Sequence, residues 1–127
     1  FIGEYLALDV VGGELSDTFD YDIMSDLAYD VKTKKVATKP KPHYECSVSA
    51  YQRRQKCEAY IFCRVLKDMS KGWVLGWMPK DEYFEKSRFL MEGDRDGLYT
   101  VRESCYNLPI SELMTFPEDE NYVPNQK

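Results

Sequence analysis

Residues 19–34 read FDYDIMSDLAYDVKTK, two alternating segments separated by a polar break at Ser25-Asp26. Successive side chains of a strand point to opposite faces, so this stretch predicts a β-hairpin with one acidic face and one apolar face. The predicted apolar face consists of Phe19, Tyr21, Ile23, Tyr29 and Val31.

The length of the connecting loop decides which carboxylates meet on the acidic face. An odd loop such as Ser25–Leu27 places Asp22 directly opposite Asp30. The same loop places Asp20 opposite Lys32, whereas an even loop sends Asp22 to the other face. Directly opposed carboxylates repel each other, so a bound cation is the natural reason to place them together.

Length and composition predict one domain. The 127 residues suffice for a single core, and we expect a domain over residues 1–116 followed by an acidic tail over residues 117–127. No run approaches the ~20 apolar residues of a membrane span, and the start lacks the order of a signal peptide. The four cysteines form no Cys-x-x-Cys pair, which favours reduced core thiols. We therefore expect a cytoplasmic protein with no membrane partner.

Charge is unevenly distributed along the chain. The net charge of −5 argues against a protein that coats nucleic acid, but residues 31–56 carry a local balance of +7. A basic segment beside an acidic hairpin could bind a polyanion next to a metal ion, and its plain alternative is a solvated lysine-rich loop. The predicted nucleic-acid-binding residues are Lys34, Lys39, Lys41, Arg53, Arg54 and Lys56.

Patterns elsewhere predict the remaining elements. An amphipathic helix over Ile2–Val11 carries Glu4 and ends at Gly12-Gly13, and Glu4 is either a site acid or a solvent charge. Trp73 and Trp77 share one face of a predicted strand, where core packing is favoured over base stacking. The other predictions are a short helix at about 50–56, strands at 58–66 and 73–78, a helix at 79–88, an edge strand at 98–101 and a short helix at 110–114.

Asp30-Val31-Lys32 is the one place where an acid precedes a lysine by two residues. Two carboxylates can hold Mg²⁺ and still leave positions for water and a phosphate oxygen. A lysine two residues along the same strand face lies beside that ion, where it can orient water or offset charge in the transition state. Val31 points to the core but could present its carbonyl oxygen to the ion.

These residues resemble the PD-(D/E)xK nuclease superfamily, which has the restriction-endonuclease-like fold. The resemblance covers residues 1 to about 80: a helix with Glu4, then Asp22, then Asp30-Val31-Lys32, then two strands. It implies an α/β fold, in which a mixed central sheet is flanked by helices in a single domain.

The resemblance also implies roles for individual residues. Asp22 and Asp30 would hold Mg²⁺ or Mn²⁺, Lys32 would be the catalytic lysine, and Glu4 would be an additional acid. The implied substrate is DNA, including branched DNA, with RNA as a related possibility, and small nucleases of this fold often act as homodimers. Tyr21 stands in place of the motif's proline, and Asp20 and Asp26 remain alternatives to Asp22 as upstream acid. Gln52 and Gln55, followed by Tyr60, are similar to a helix of the family's exonuclease branch, but their spacing differs and they receive no role.

Three hypotheses follow. The first is a Mg²⁺-dependent nuclease that hydrolyses DNA. The second is a non-catalytic nucleic-acid-binding or assembly module of the same fold, in which the acidic face is only solvated. The third is a partner-binding protein that uses its tyrosines and acidic ends. Metal binding separates the first from the other two.

Overall fold

The structure, a computed structural model, describes residues 2–16 and 18–116. The elements are α1 (Ile2–Val11), β1 (Glu14–Leu15), β2 (Ile23–Met24), β3 (Ala28–Val36), β4 (Glu45–Ser49), a 3-10 helix (Ala50–Arg54), β5 (Ala59–Leu66), β6 (Gly72–Pro79), α2 (Lys80–Lys86), β7 (Arg88–Leu90), β8 (Arg95–Asp96), β9 (Tyr99–Thr100), β10 (Cys105–Pro109) and a second 3-10 helix (Ile110–Glu112). They form one small α/β domain with a mixed sheet. The predicted acidic tail, residues 117–127, lies outside the described residues.

The central sheet has five strands in the order β1-β2-β3-β5-β6. β3 and β5 run parallel, and every other neighbouring pair in this sheet is antiparallel. The two strands predicted after the hairpin are confirmed as β5 and β6. β5 is buried along its length except at Leu66, as its continuous apolar content predicts for a strand covered on both faces.

The helix α1 covers one face of this sheet, and it has the predicted bounds. Ala7 of α1 packs in one core with Ile23, Tyr29 and Val31. This α1-side core confirms the apolar face predicted for the second half of the hairpin.

The opposite face is covered by α2 together with a second sheet, β4-β10-β7. The α2-side core includes Tyr60 and Phe62 from β5, Tyr83 from α2 and Leu108 from β10. The second sheet was not predicted. Residues 105–109 are short, contain an asparagine and end in proline, so their pattern alone does not indicate a strand.

The first half of the hairpin is shorter than predicted. β2 has only two residues, and residues 18–22 form no strand. The Thr18 hydroxyl donates to the Tyr21 carbonyl at 2.9 Å and accepts from the Tyr21 N–H at 3.1 Å, so a local turn replaces the strand ladder. As a result Phe19 is 50% exposed and Tyr21 packs on the α2-side core, so their predicted place on the α1 side is wrong.

Trp73 and Trp77 do not share a face of β6 as predicted. The pairing of β6 with β5 shifts register between Phe62 and Cys63, which leaves a bulge that reverses the alternation. Trp73 therefore packs against the α2-side core and Trp77 against the α1-side core. Each tryptophan packs on a core, as predicted.

The remaining elements agree with the predictions in position but differ in extent. α2 begins directly after Pro79, and the predicted edge strand is β9, which pairs with β8. Both predicted short helices are 3-10 helices. All four cysteines are free, and three of them are buried. None of the helices in the described part of the chain is long and apolar enough to cross a membrane.

Gly3 sets the separation between α1 and the sheet. An ideal Cβ at Gly3 would lie 1.7 Å from Oγ1 and 2.8 Å from Cβ of Thr33 in β3. We expect Gly3→Ala to lower the free energy of unfolding by about 1–3 kcal/mol, because the helix must shift away from the strand. Urea denaturation measures this loss. The control is Asp9→Ala on the exposed side of the same helix, expected within ~0.5 kcal/mol of the wild type, and equal losses in the two variants would contradict the packing argument.

Candidate metal-dependent active site

The register of the hairpin brings Asp22 and Asp30 together. Ile23 pairs with Tyr29 and Met24 pairs with Ala28, across a three-residue loop. Just beyond this ladder the Asp22 N–H donates to the Tyr29 carbonyl at 2.8 Å, and the carboxyl group of Asp22 hydrogen-bonds to that of Asp30. Of the two loop parities that the sequence leaves open, the odd one, Ser25–Leu27, is the one observed.

Asp30 is the centre of a buried polar network. Its side chain is 6% exposed, and its Oδ2 lies 2.6 Å from Lys32 Nζ. The amide nitrogen of Gln55 donates to Asp30 Oδ1 at 3.2 Å, and the amide oxygen of Gln55 accepts from Lys32 Nζ, also at 3.2 Å. Lys32 Nζ also lies 5.6 Å from the centre of the Tyr60 ring. These contacts fix an acid and a lysine on one face of β3, as period two requires.

Asp22 is held in an environment that disfavours its charge. Its Oδ2 accepts a hydrogen bond from the Val31 N–H at 2.8 Å. Burial raises the pKa of Asp22 to about 7, against the lowering effect of the Val31 hydrogen bond. The charge of Asp30, a hydrogen bond between the two carboxyl groups and the charge of Glu4 raise this pKa further. Three acids therefore act on one another at this end of β3.

The two alternative upstream acids lie elsewhere. Asp20 does not face Lys32 as predicted, because the turn at residues 18–22 redirects it, and its Oδ1 accepts from the Lys56 N–H at 3.0 Å. Asp26 Oδ1 accepts from the Tyr29 hydroxyl at 2.9 Å. Of the three candidates, Asp22 is the one that the structure places beside Asp30.

Gln55 is the site residue that sequence reasoning set aside. It is 3% exposed, and its amide nitrogen also donates to the Phe19 carbonyl at 2.6 Å. Its own carbonyl accepts from Lys80 Nζ. Parallel pairing of β3 with β5 puts Tyr60 beside Asp30, and the segment just before β5 then passes over the site. The sequence signal at Gln55, its similarity with Gln52 and Tyr60 to a family helix, was set aside because the spacing differs, and the long-range register of β3 with β5 is what places Gln55 at the site.

We expect Gln55→Ala to lower the free energy of unfolding by about 1–3 kcal/mol, because it leaves buried partners of the amide unsatisfied. Chemical denaturation measures this loss. The matched control is Gln52→Ala, in the 3-10 helix that Gln55 caps and only half-buried, which should stay within ~0.5 kcal/mol of the wild type. A Gln55→Ala variant as stable as the control would show that the hydrogen bonds of the Gln55 amide contribute nothing to the free energy of unfolding.

The chemistry of the donor set fits a Mg²⁺ ion. No group of three or more His, Cys, Asp or Glu side chains within residues 2–16 and 18–116 is arranged to hold a metal. Mg²⁺, however, is usually bound through one or two carboxylates, with waters and substrate phosphates completing its shell. Asp22 and Asp30 supply two carboxylates whose mutual repulsion a cation would relieve.

The predicted nucleic-acid-binding residues divide into two groups. Arg53 donates to the Tyr106 hydroxyl at 2.8 Å and lies 5.0 Å from the centre of the Phe84 ring, while Arg54 lies 5.8 Å from that of Phe19. Their guanidinium groups are therefore held against aromatic rings. The other members are exposed lysines: Lys34, Lys39, Lys41 and Lys56.

Comparison with known proteins adds no relative to this description. Neither a protein-family model nor a curated protein matches the chain.

Proposed function

We propose that this protein is a Mg²⁺-dependent nuclease that hydrolyses phosphodiester bonds in DNA. The observation that carries the proposal is the contact between the carboxyl groups of Asp22 and Asp30, with Lys32 in contact with Asp30. The order of elements supports it as well, since a helix with an acid, the hairpin and two central strands is the order that the PD-(D/E)xK resemblance implies. We extend the proposal to a restriction-endonuclease-like fold on the same ground.

In this proposal Asp22 and Asp30 hold Mg²⁺ or Mn²⁺, with the Val31 carbonyl as a further ligand. The bound ion supplies Lewis-acid polarisation of the phosphate and a water of lowered pKa. The Lys32 ammonium group, which lies 2.6 Å from Asp30 Oδ2, would orient the attacking water or offset charge on the phosphate. Gln55 holds the lysine in place through its amide oxygen. Glu4 acts through its charge on Asp22.

The DNA-binding part of the proposal rests on the basic segment. Lys34, Lys39, Lys41 and Lys56 are exposed, and Arg53 and Arg54 are exposed residues whose guanidinium groups lie over aromatic rings. Branched DNA and RNA fall within the same proposal, because both offer the same phosphodiester. Cutting two strands with one site per chain would take a homodimer, which we include in the proposal.

One observation favours a second candidate function. The buried Asp30 charge already has a partner in Lys32 at 2.6 Å, so the site is electrostatically complete at Asp30 without an ion. A non-catalytic nucleic-acid-binding module would use this pair only to stabilise the hairpin. Such a module would bind DNA equally well with Mg²⁺ or with EDTA.

The test of the proposed function is cleavage of end-labelled single-stranded, duplex and branched DNA by the purified protein. We expect cleavage with Mg²⁺ or Mn²⁺ and none with EDTA. The control is the Asp22→Asn/Asp30→Asn double variant purified in parallel, which excludes a contaminating nuclease. DNA binding without cleavage under every metal condition would overturn the proposal in favour of the non-catalytic module.

A further inference from the structure

A cleft of about 270 Å³ lies between β3, β4, β5 and the first 3-10 helix, directly beside the proposed active site. Lys32 lines both the cleft and the site. The volume is many times the ~30 Å³ that one water occupies in the liquid, so the cleft has room for a group larger than a solvent molecule. The charged residues of its lining within the described part of the chain are Lys32, Lys34, Glu45 and Arg64, and its neutral hydrogen-bonding residues include Ser47, Ser49 and Gln52.

Arg64 is a buried charge in the wall of this cleft. It is 6% exposed, donates one hydrogen bond to the Glu45 carbonyl at 2.9 Å, and lies 5.4 Å from the centre of the Tyr44 ring. Among residues 2–16 and 18–116 it has no carboxylate partner. A buried charge without a counter-ion is costly, and a guanidinium carries five N–H donors, most of which remain available here.

The one acid in the cleft does not neutralise Arg64. The Glu45 carboxylate is bound by Arg88, at 2.6 Å to one oxygen and 3.0 Å to the other, on the outer side of the second sheet. Lys34 pairs in register with Arg64 on the neighbouring strand, so its charge adds to that of Arg64. Lys32 is already paired with Asp30. Two positive charges in the lining, those of Lys34 and Arg64, are therefore left without a carboxylate.

We infer that this cleft binds a phosphate group of the nucleic-acid strand whose neighbouring phosphodiester occupies the Asp22–Asp30 site. The inference rests on the proposed function. Arg64 offers the fork of N–H donors that matches a phosphate, Lys34 adds a point charge, and Ser47, Ser49 and Gln52 offer neutral donors. The phosphate is either the terminal phosphate of a strand end or an internal phosphodiester.

The first measurement uses inorganic phosphate as the probe, in metal-free buffer at constant ionic strength. We expect phosphate to raise the melting temperature of the wild type, and to do so much less in Arg64→Met and Lys34→Ala. The matched controls are Arg102→Met and Lys35→Ala, which remove the same charges at exposed positions outside the cleft. Arg64→Met should not be less stable than the wild type without phosphate, because methionine fills the site without a buried charge. Lys34 is exposed, so its variant tests the cleft even if the arginine variant folds poorly.

The second measurement is the affinity for labelled DNA in EDTA, which requires no cleavage. We expect Arg64→Met and Lys34→Ala each to bind at least about tenfold more weakly than their controls. A preference for 5′- or 3′-phosphorylated ends over hydroxyl ends would identify a terminal phosphate, and equal binding of circular DNA would identify an internal one. Variants that match their controls in both measurements would overturn the inference. If those cleft variants still cleave DNA, the proposed function stands. If the wild type binds phosphate and DNA through the cleft but cleaves no DNA, only the proposed function is overturned.

Discussion

Asp30→Asn and Lys32→Ala should each reduce Mg²⁺-dependent cleavage of DNA by at least about a thousandfold, with the fold retained. Asp30→Asn removes a charged ligand from the ion, and Lys32→Ala removes the ammonium group that offsets charge at the phosphate. The loss of one preorganised electrostatic group in an active site typically costs 10²–10³ in rate, and the loss of a metal ligand costs more. Single-turnover cleavage with saturating enzyme measures the chemical step directly.

The two variants should differ in stability, which separates chemistry from folding. Asp30→Asn relieves the repulsion on Asp22, whereas Lys32→Ala leaves the Asp30 charge buried without its partner and should lower the unfolding free energy by about 3 kcal/mol or less. Circular dichroism and thermal melting confirm that each variant is folded at the assay temperature. Asp26→Asn serves as the acid control, because its carboxylate contacts only the Tyr29 hydroxyl at the hairpin loop. Full activity in both site variants would remove Asp30 and Lys32 from the site.

Asp22→Asn should change how stability depends on pH. The pKa of Asp22 is raised from 3.8 to about 7 in the folded protein, so between these values the folded state holds a proton that the unfolded state has lost. The free energy of unfolding of the wild type therefore falls as pH rises through this window, and above about pH 7 no more is lost. Asparagine keeps an oxygen for the Val31 N–H but carries no charge. We expect the variant to melt at the wild-type temperature near pH 4 and several degrees higher near pH 8. The full shift corresponds to ~4 kcal/mol, solvent screening of the half-buried carboxyl reduces this, and ~1 kcal/mol corresponds to roughly 4 °C in a domain of this size.

Mg²⁺ should reverse the order of the two melting temperatures at high pH, so that the wild type melts above Asp22→Asn. The ion stabilises a folded protein that binds it, by about 2.7 kcal/mol at a hundred times the dissociation constant. Wild-type protein should therefore melt at a higher temperature with Mg²⁺ near pH 8, while Asp22→Asn should not respond. Thermal melts across pH, with and without Mg²⁺, measure both effects. Parallel pH profiles for the two proteins would contradict the raised pKa of Asp22, and equal responses to Mg²⁺ would exclude Asp22 as a ligand.

The parts of this structure that sequence could predict are those set by local periodicity. The bounds of α1 and the doubly buried strand β5 follow from helical spacing and a continuous apolar run, whereas the parity of the hairpin loop stayed open until the structure gave Ser25–Leu27. The pairing of Asp22 with Asp30 follows from the same parity. A local turn held by Thr18 was enough to shorten β2 and to move Asp20 and Tyr21 away from their predicted places.

The parts that sequence could not predict depend on long-range pairing. Gln55 reaches Asp30 because β3 and β5 pair in parallel, and Arg64 lines the cleft beside the site because β4 folds over β5 from a different sheet. Neither register leaves a periodic signal in the chain. A glutamine in a polar connection and an arginine in a buried strand become informative only when their neighbours are known.

The most direct test of the central claim is anomalous diffraction from a crystal soaked in Mn²⁺ at a pH above 7, where Asp22 is ionised. The account predicts one anomalous peak bound by the carboxylates of both Asp22 and Asp30, with Lys32 Nζ displaced from Asp30. A map with no peak at these carboxylates, and with the contact between Lys32 and Asp30 intact, would contradict it.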